Sequence, residues 1–240
     1  DGTDDGSYNV AVGLQALSAN CGDSNTAIGE SALAVNTASS NTAVGKAALT
    51  SNTTGSGNVA TGFQAGLFAT TSDNSTFVGF AAGQGITGAK LTGNYNTAVG
   101  KDAGLLLQGA AAENCIFGAL AGDAITTGGE NCLFGMGAGG SIQTSIRNTF
   151  FGDDCGNTCT TGDSNVAMGH AAMGQGVTTG DFNVAIGFTA GATLTSGTLN
   201  TVMGKNAGKS INTGANNTFV GALAGDATDD GLNNTAVGYG

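Results

Sequence analysis

Asn41-Thr42-Ala43-Val44-Gly45 shows a pattern, Asn followed by three mostly apolar residues and Gly, that returns fourteen times along the chain, once with Ser75 in place of Asn. The closing glycines are Gly13, Gly29, Gly45, Gly62, Gly79, Gly100, Gly118, Gly135, Gly152, Gly169, Gly187, Gly204, Gly221 and Gly238. Twelve of their thirteen spacings are 16 to 18 residues, and one is 21. A unit this short cannot enclose its own core and becomes stable only when neighbouring units stack. The pattern therefore predicts a solenoid in which each repeat is one coil.

Composition favours strands over helices. Gly makes up 44 of 240 residues, Pro and Trp are absent, and hydrophobic residues make up 40%. High Gly without Pro excludes collagen, and this hydrophobic content argues against disorder. Gly, Thr, Asn and Val are all weak helix formers. We therefore predict an all-β solenoid or β-roll of about 14 coils with a period near 17 residues, forming one repeat domain over residues 1–240 that is a segment of a longer fibre.

The charge balance limits the partners. The formal net charge is −11, from 17 acidic and 6 basic residues. Nucleic acids and anionic membrane surfaces require clustered Lys and Arg. The chain also has no apolar run of about 18 residues, the length that spans a bilayer. We expect neither a nucleic-acid partner nor membrane insertion.

Two further corners are predicted in each coil. The third residue after the repeat Gly is small, Ala in twelve of thirteen complete coils and Cys155 in the other. The fourth residue is Gly in nine coils, which predicts a second corner because Gly accepts positive φ without steric cost. The other four coils carry Leu17, Leu33, Leu49 and Met173 there. Gly also stands three residues before the repeat Asn in ten coils, which predicts a third corner.

The segment between the second and third corners, here called the arm, varies between coils. An apolar residue often lies six positions before the repeat Asn and is predicted to point inward, as for Ile125, Ile142, Val177, Leu194 and Ile211. The arm between Gly79 and Gly100 is four residues longer than usual. An insertion in a single coil predicts a surface loop.

The repeat strand is apolar on both sides. The two residues before the repeat Gly are both apolar in Ile116-Phe117, Leu133-Phe134 and Phe150-Phe151. Because adjacent residues of a strand point to opposite faces, such a strand is expected to be buried on both faces. One face can line the coil, and the other needs a partner. We therefore predict a parallel homotrimer with the main strands facing its axis, and a dimer as the second choice.

The repeat Asn predicts a polar ladder. Asn at a corner bonds to local backbone groups, and side-chain amides that recur once per coil can stack. Ser75 takes this position before Gly79, where we expect a locally shifted coil. The ladder residues are Asn9, Asn25, Asn41, Asn58, Asn96, Asn114, Asn131, Asn148, Asn165, Asn183, Asn200, Asn217 and Asn234.

These repeats resemble two groups of fibrous proteins. Asn183-Val184-Ala185-Ile186-Gly187 and Asn9-Val10-Ala11-Val12-Gly13 match Val-Ala-Ile-Gly, the core of the head repeats of trimeric autotransporter adhesins. Asn-Thr-Ala-Val-Gly with a following x-x-Ala-Gly and an arm ending in Thr-Thr-Gly is similar to repeats of phage and phage-like tail fibres. The resemblance implies a β-roll or β-solenoid, usually trimeric, in an extracellular adhesive fibre of a virion or cell surface. It implies a glycan or protein receptor as a further partner, and no catalytic residue.

The cysteines leave two interpretations open. Cys115 and Cys132 occupy the same coil position one repeat apart, so stacking in register would place them about 4.8 Å apart, within disulfide range. Cys155 takes the small position and Cys159 an apolar position, which plain packing explains as well as a disulfide does. Cys-x-x-x-Cys without a nearby His is weak support for zinc. Cys21 makes the count odd.

The remaining polar candidates favour a solvated surface over chemistry. His170 is the only histidine, at a position that Lys46 and Lys101 occupy in other coils. Adjacent carboxylates such as Asp153-Asp154 diverge on extended chain. We expect no catalytic residue, cofactor or metal, and hence a structural or adhesive role. The alternatives are a carbohydrate-degrading fibre, in which an acidic loop pair cuts glycan, and an ice-binding solenoid that uses the Thr residues after the repeat Asn.

Overall fold

The computed structural model describes residues 6–240. Every repeat contributes one strand of three residues, and no helix occurs in this range. The chain divides into two compact units, one up to Thr127 and one from Gly128 to Gly240. This architecture confirms the predicted all-β solenoid with a period near 17 residues.

Seven strands belong to each unit. The strands of the first unit are β1 (Val10–Val12), β2 (Thr26–Ile28), β3 (Thr42–Val44), β4 (Val59–Thr61), β5 (Thr76–Val78), β6 (Thr97–Val99) and β7 (Cys115–Phe117). Those of the second unit are β8 (Cys132–Phe134), β9 (Thr149–Phe151), β10 (Val166–Met168), β11 (Val184–Ile186), β12 (Thr201–Met203), β13 (Thr218–Val220) and β14 (Thr235–Val237).

Within each unit, consecutive strands pair in parallel and without a register shift. Thr42 lies opposite Thr26 on one side and Val59 on the other. Phe150 likewise lies between Leu133 and Ala167. Equivalent residues of successive coils therefore form straight columns that run across the strands.

The core of each coil is filled from the middle of the strand and from the corner after it. Middle residues such as Ala43, Phe77 and Phe150 are fully buried, whereas their neighbours in the strand face outward. The small residue three positions after the repeat Gly is buried too, as for Ala48 and Cys155. The small residues at this position therefore form a second buried column.

The repeat glycines are required by conformation and by close approach. Their φ angles lie between +125° and +143°, a region in which side chains are strained. A Cβ at Gly29 would also lie 2.5 Å from the carbonyl oxygen of Gly45 in the next coil. Any side chain here would push two coils apart.

The second corner is confirmed at the fourth residue after the repeat Gly. Gly66 and Gly156 have φ of +60° and +58°. Leu49 and Met173 adopt the same conformation, with φ of +48° and +50°, although they are not glycines. The residue two positions after the repeat Gly also has positive φ, for example Gln64 at +56°, and nothing in its side-chain type predicted this.

The third corner differs from the prediction. The glycine three residues before the repeat Asn does not have positive φ, whereas the residue directly before the Asn does, as in Ser40 (+63°) and Arg147 (+61°). A glycine is required there because neighbouring coils approach closely. A Cβ at Gly162 would lie 2.6 Å from the carbonyl oxygen of Gly180 in the next coil.

Most of the predicted inward residues of the arms are buried, and one is not. Ile125, Ile142, Leu194 and Ile211 are buried, but Val177 is 56% exposed. In that coil the neighbouring Thr178 points inward and donates its hydroxyl hydrogen to the carbonyl oxygen of Leu194 (3.0 Å).

The long arm is confirmed as a surface loop. Ile86 bridges to Ala89 in antiparallel fashion, and residues 86–88 at its tip are exposed. The insertion therefore leaves the strand columns on either side of it in register.

Candidate functional site

The most distinctive surface of each unit is the uncovered face of its sheet. We call this surface, formed by the first and third residues of every strand, the outer face. Ile116, Leu133 and Phe150 are buried inside the coils, so Phe117, Phe134 and Phe151 are the members of each apolar pair that lie on the outer face. The strand is thus apolar on both sides, and a single chain covers only one of them.

The outer face of the second unit carries more large apolar side chains than that of the first. Phe134 and Phe151 are 46% and 50% exposed, and their rings stack with centroids 4.8 Å apart. Met168 and Met203 are about 40% exposed in the same column. The corresponding column of the first unit is mostly β-branched, with Ile28, Val44, Thr61, Val78 and Val99. Both columns are regular, but the second offers wider apolar side chains.

Two rows of side chains border the outer face. The leading rim consists of the residues directly before the repeat Asn, and the trailing rim consists of the residues directly after the repeat Gly. Trailing-rim side chains of successive coils contact one another, since the rings of Phe63 and Phe80 stack at 5.2 Å. Lys46 and Glu30 form an ion pair there at 2.9 Å. These contacts show that trailing-rim side chains project in a common direction.

His170 lies on the trailing rim of the second unit. Its ring stacks on Phe188 at 5.3 Å, and its Nε2 is 3.7 Å from Asp153 Oδ2. The other carboxylate oxygen, Asp153 Oδ1, is buried and has no hydrogen-bond partner among the described residues. Asp154 has a different partner, because Asn157 Nδ2 donates to its Oδ1 (3.2 Å). The carboxylates of Asp153 and Asp154 therefore contact different partners.

The repeat asparagines form the predicted ladder. The backbone N–H of Asn165 donates to Asn148 Oδ1 (2.9 Å), and Asn165 Nδ2 donates to the carbonyl oxygen of Gly180 in the next coil (3.0 Å). Asn183 repeats the pattern, with its backbone N–H donating to Asn165 Oδ1 (2.9 Å). Each buried repeat Asn therefore joins three consecutive coils through its backbone N–H and its side-chain amide, which supports a structural role.

The predicted shift at Ser75 is wrong. The backbone N–H of Ser75 donates to Asn58 Oδ1 (2.9 Å), and the N–H of Asn96 donates to Ser75 Oγ (3.1 Å). The shorter hydroxyl is held in place by a hydrogen bond to Ser72 Oγ (2.9 Å). A serine therefore continues the ladder without changing the register.

The cysteines fall into buried and exposed positions. Cys21, Cys155 and Cys159 are buried thiols that form no disulfide, which agrees with their packing interpretation. Burial raises the pKa of Cys155 and of Cys159 to about 12. Cys115 and Cys132 are exposed residues of the outer face that belong to different units, and their disulfide stays a prediction. Within residues 6–240 no group of His, Cys, Asp or Glu is arranged to hold a metal ion.

No family model, curated protein or solved structure matches this chain. The resemblance to tail-fibre and adhesin repeats therefore stays a prediction that rests on the motifs alone. The part of the chain that the structure describes also contains no helix with the length and apolar character needed to cross a bilayer.

Proposed function

We propose that this chain is a non-catalytic structural segment of an extracellular fibre, and that it associates with further copies of itself through the outer face. The observation that carries the proposal is the exposed apolar column of the outer face, most pronounced at Phe134, Phe151, Met168 and Met203. Covering apolar surface yields about 25 cal/mol per Å². Contiguous apolar patches of several hundred Å² mark interaction sites on soluble proteins.

A parallel homotrimer covers this surface best. The columns run straight across each unit, so a copy in the same orientation meets them along their whole length. Three copies around an axis bury one such face each and leave no outer face exposed. Two copies facing each other are the next simplest arrangement.

The arms would form the outside of such a fibre and supply its adhesive surface. They expose hydroxyl side chains at one position of successive coils, including Thr144, Thr161, Thr179, Ser196 and Thr213 in the second unit. Hydroxyl groups donate and accept hydrogen bonds, as polar glycans and protein receptors require. A receptor would therefore contact the arms and not the outer face.

Native mass spectrometry of the purified chain at micromolar concentration tests the proposal. We expect a trimer, and a substitution of Phe151→Glu on the outer face should dissociate it. Thr161→Glu on an arm is the matched control and should leave the trimer intact. A soluble single chain would overturn the proposed self-association. Cleavage of a polysaccharide by the purified chain, abolished by Asp153→Asn, would overturn the non-catalytic role.

A further inference from the structure

The two rims of the outer face carry complementary side chains in the same coils. In the coil of β9, Arg147 lies on the leading rim and Asp153 on the trailing rim. In the coil of β11, Phe182 and Phe188 occupy the same two positions and are 59% and 51% exposed. The β9 coil thus carries a positive charge on one rim and a negative charge on the other. The β11 coil carries a phenyl ring on each rim.

These side chains do not satisfy one another within the chain. Arg147 and Asp153 flank strand β9 from opposite ends, up to about 20 Å apart along extended backbone. Arg147 Nε lies 3.8 Å from Glu130 Oε2, a pair in which both side chains are more than half exposed. Asp153 Oδ2 lies 3.7 Å from His170 Nε2, and the buried Oδ1 has no hydrogen-bond partner among the described residues. The Asp153 side chain is 45% exposed, so a cation from outside the chain can approach its Oδ2.

A cyclic arrangement of parallel copies supplies such a cation. When copies surround an axis that runs across the strands, the leading rim of one copy meets the trailing rim of the next. Pure rotation includes no translation, so equivalent coils stand at the same height. We propose that copies of this chain associate in parallel and in register, with Arg147 of one copy paired to Asp153 of the next and Phe182 packed on Phe188. This inference rests on the proposed self-association through the outer face.

The first unit shows the same relation in a different chemical form. Tyr95, 58% exposed, lies on the leading rim of the β6 coil, and Lys101 lies on its trailing rim. Lys101 already lies 6.0 Å from the centre of the Phe80 ring. A Tyr95 ring from the neighbouring copy would add a second aromatic contact for the ammonium group.

Other alignments match the charges less well. A stagger of one coil in one direction places Glu130 against Asp153, which is repulsive. The opposite stagger pairs Glu113 with Lys101 but places Arg147 against Met136, leaving both Arg147 and Asp153 without their opposite charge. The in-register arrangement is the one that pairs the charges of the β9 coil.

Charge reversal tests the register. Assembly is measured by sedimentation for the wild-type chain, Arg147→Asp, Asp153→Arg and the double variant. Each single change places like charges together and should weaken association by about tenfold or more, whereas the double variant should recover most of the affinity. Circular dichroism should show intact folding in all four proteins, because both positions are surface positions.

The outcomes separate the two proposals. If the wild-type chain does not assemble, the proposed self-association fails. If it assembles but the double variant is as weak as the single variants, the register is wrong while self-association stands. The matched pair Lys101→Glu and Glu113→Lys examines the one-coil stagger, and mutual rescue there would also overturn the in-register arrangement.

Crosslinking gives a second measurement. In a Cys115→Ser/Cys132→Ser background, Phe182→Cys chains are mixed with Phe188→Cys chains and oxidised with a copper(II) complex. Two copper(II) ions accept the two electrons released as two thiols lose their protons to solvent and form one disulfide. We expect covalent dimers in the mixture at several times the yield obtained from either variant alone. Equal yields in all three samples would contradict the predicted contact.

Discussion

The coils that contain Ala43 and Phe150 have the same backbone but opposite distributions of core volume. In the Ala43 coil, the middle strand residue is small and the second corner carries Leu49. In the Phe150 coil, the strand residue is large and the second corner is Gly156, where a Cβ would collide with the Phe150 ring. Both positions project into the same interior, so volume that is absent from one is supplied by the other. In these two coils the same interior is filled from either position, whereas other coils, such as that of Ala60 and Gly66, carry small residues at both.

The exchange has a conformational cost on one side only. Leu49 adopts φ of +48°, a left-handed conformation that costs a non-glycine residue about 1 kcal/mol. Gly156 adopts φ of +58° without this cost. The same relation holds for Ala27 with Leu33 and for Ala167 with Met173. Burial of the long side chain therefore outweighs the unfavourable backbone at these corners.

Phe150→Ala should have the largest effect on the Phe150 coil. The ring is fully buried and Gly156 offers no side chain to fill the space, so we expect the free energy of unfolding to fall by about 3–5 kcal/mol. Urea unfolding of the variant and the wild type measures the difference. A loss below about 1 kcal/mol would show that neighbouring coils can fill the space.

Gly156→Leu should be the next most damaging change. It adds a side chain against the Phe150 ring and places Leu in the left-handed region, for an expected loss of about 3 kcal/mol. The double variant Phe150→Ala/Gly156→Leu reproduces the arrangement at Ala43 and Leu49. It should be more stable than the sum of the two single changes predicts, by about 2 kcal/mol or more. Additive losses would refute the volume exchange.

Leu49→Gly examines the exchange from the other side. The variant loses buried apolar contacts and leaves a cavity beside Ala43, but it relieves the left-handed strain, so we expect a net loss of about 2 kcal/mol. Leu49→Ala retains the left-handed strain. Its loss in free energy of unfolding, divided by the number of side-chain atoms removed, should therefore be larger than that of Leu49→Gly. Equal stability of Leu49→Gly and the wild type would mean that the leucine contributes no packing.

The small corner residue differs between the two coils, and its replacement should give the mildest effect at neutral pH. Ala48 occupies this position in the Ala43 coil and Cys155 in the Phe150 coil, where burial raises the thiol pKa from 9.0 to about 12. The folded state therefore keeps a proton that the unfolded state loses, so this stabilisation is complete below pH 9 and declines as the pH rises from about 9 to 12. We expect a decline of up to about 1.4 kcal/mol per pH unit from this thiol.

Unfolding of Cys155→Ala over the same pH range is the control for this prediction. The variant places at this corner the residue found in the other complete coils, so its stability at neutral pH should match that of the wild type within about 1 kcal/mol. Its stability should also fall less steeply above pH 9. An unchanged slope would show that other groups cause the alkaline loss.

Much of the fold follows from the sequence because each repeat imposes the same local constraints. The interval between Asn41 and Asn58 sets the length of a coil, and the amide of each repeat Asn has a fixed position in the ladder. The repeat Gly marks a corner that excludes side chains for both conformational and steric reasons. The small residue after it, such as Ala48, marks the point at which the chain turns back towards the strand.

The sequence pattern does not distinguish which of two similar neighbouring residues is buried, and the tertiary structure determines this. Phe150 and Phe151 are identical side chains, and only the direction of the strand relative to the coil determines that Phe150 is enclosed and Phe151 is exposed. Thr178 is inward in place of Val177 because the path of that arm, and not the hydrophobicity of the residue, sets which side chain enters the core. The glycine at the third corner depends on the carbonyl group of the next coil, which no single repeat contains. These features depend on the path of the chain in three dimensions, whereas the period, the ladder positions and the repeat corner are marked by residue types that recur in every repeat.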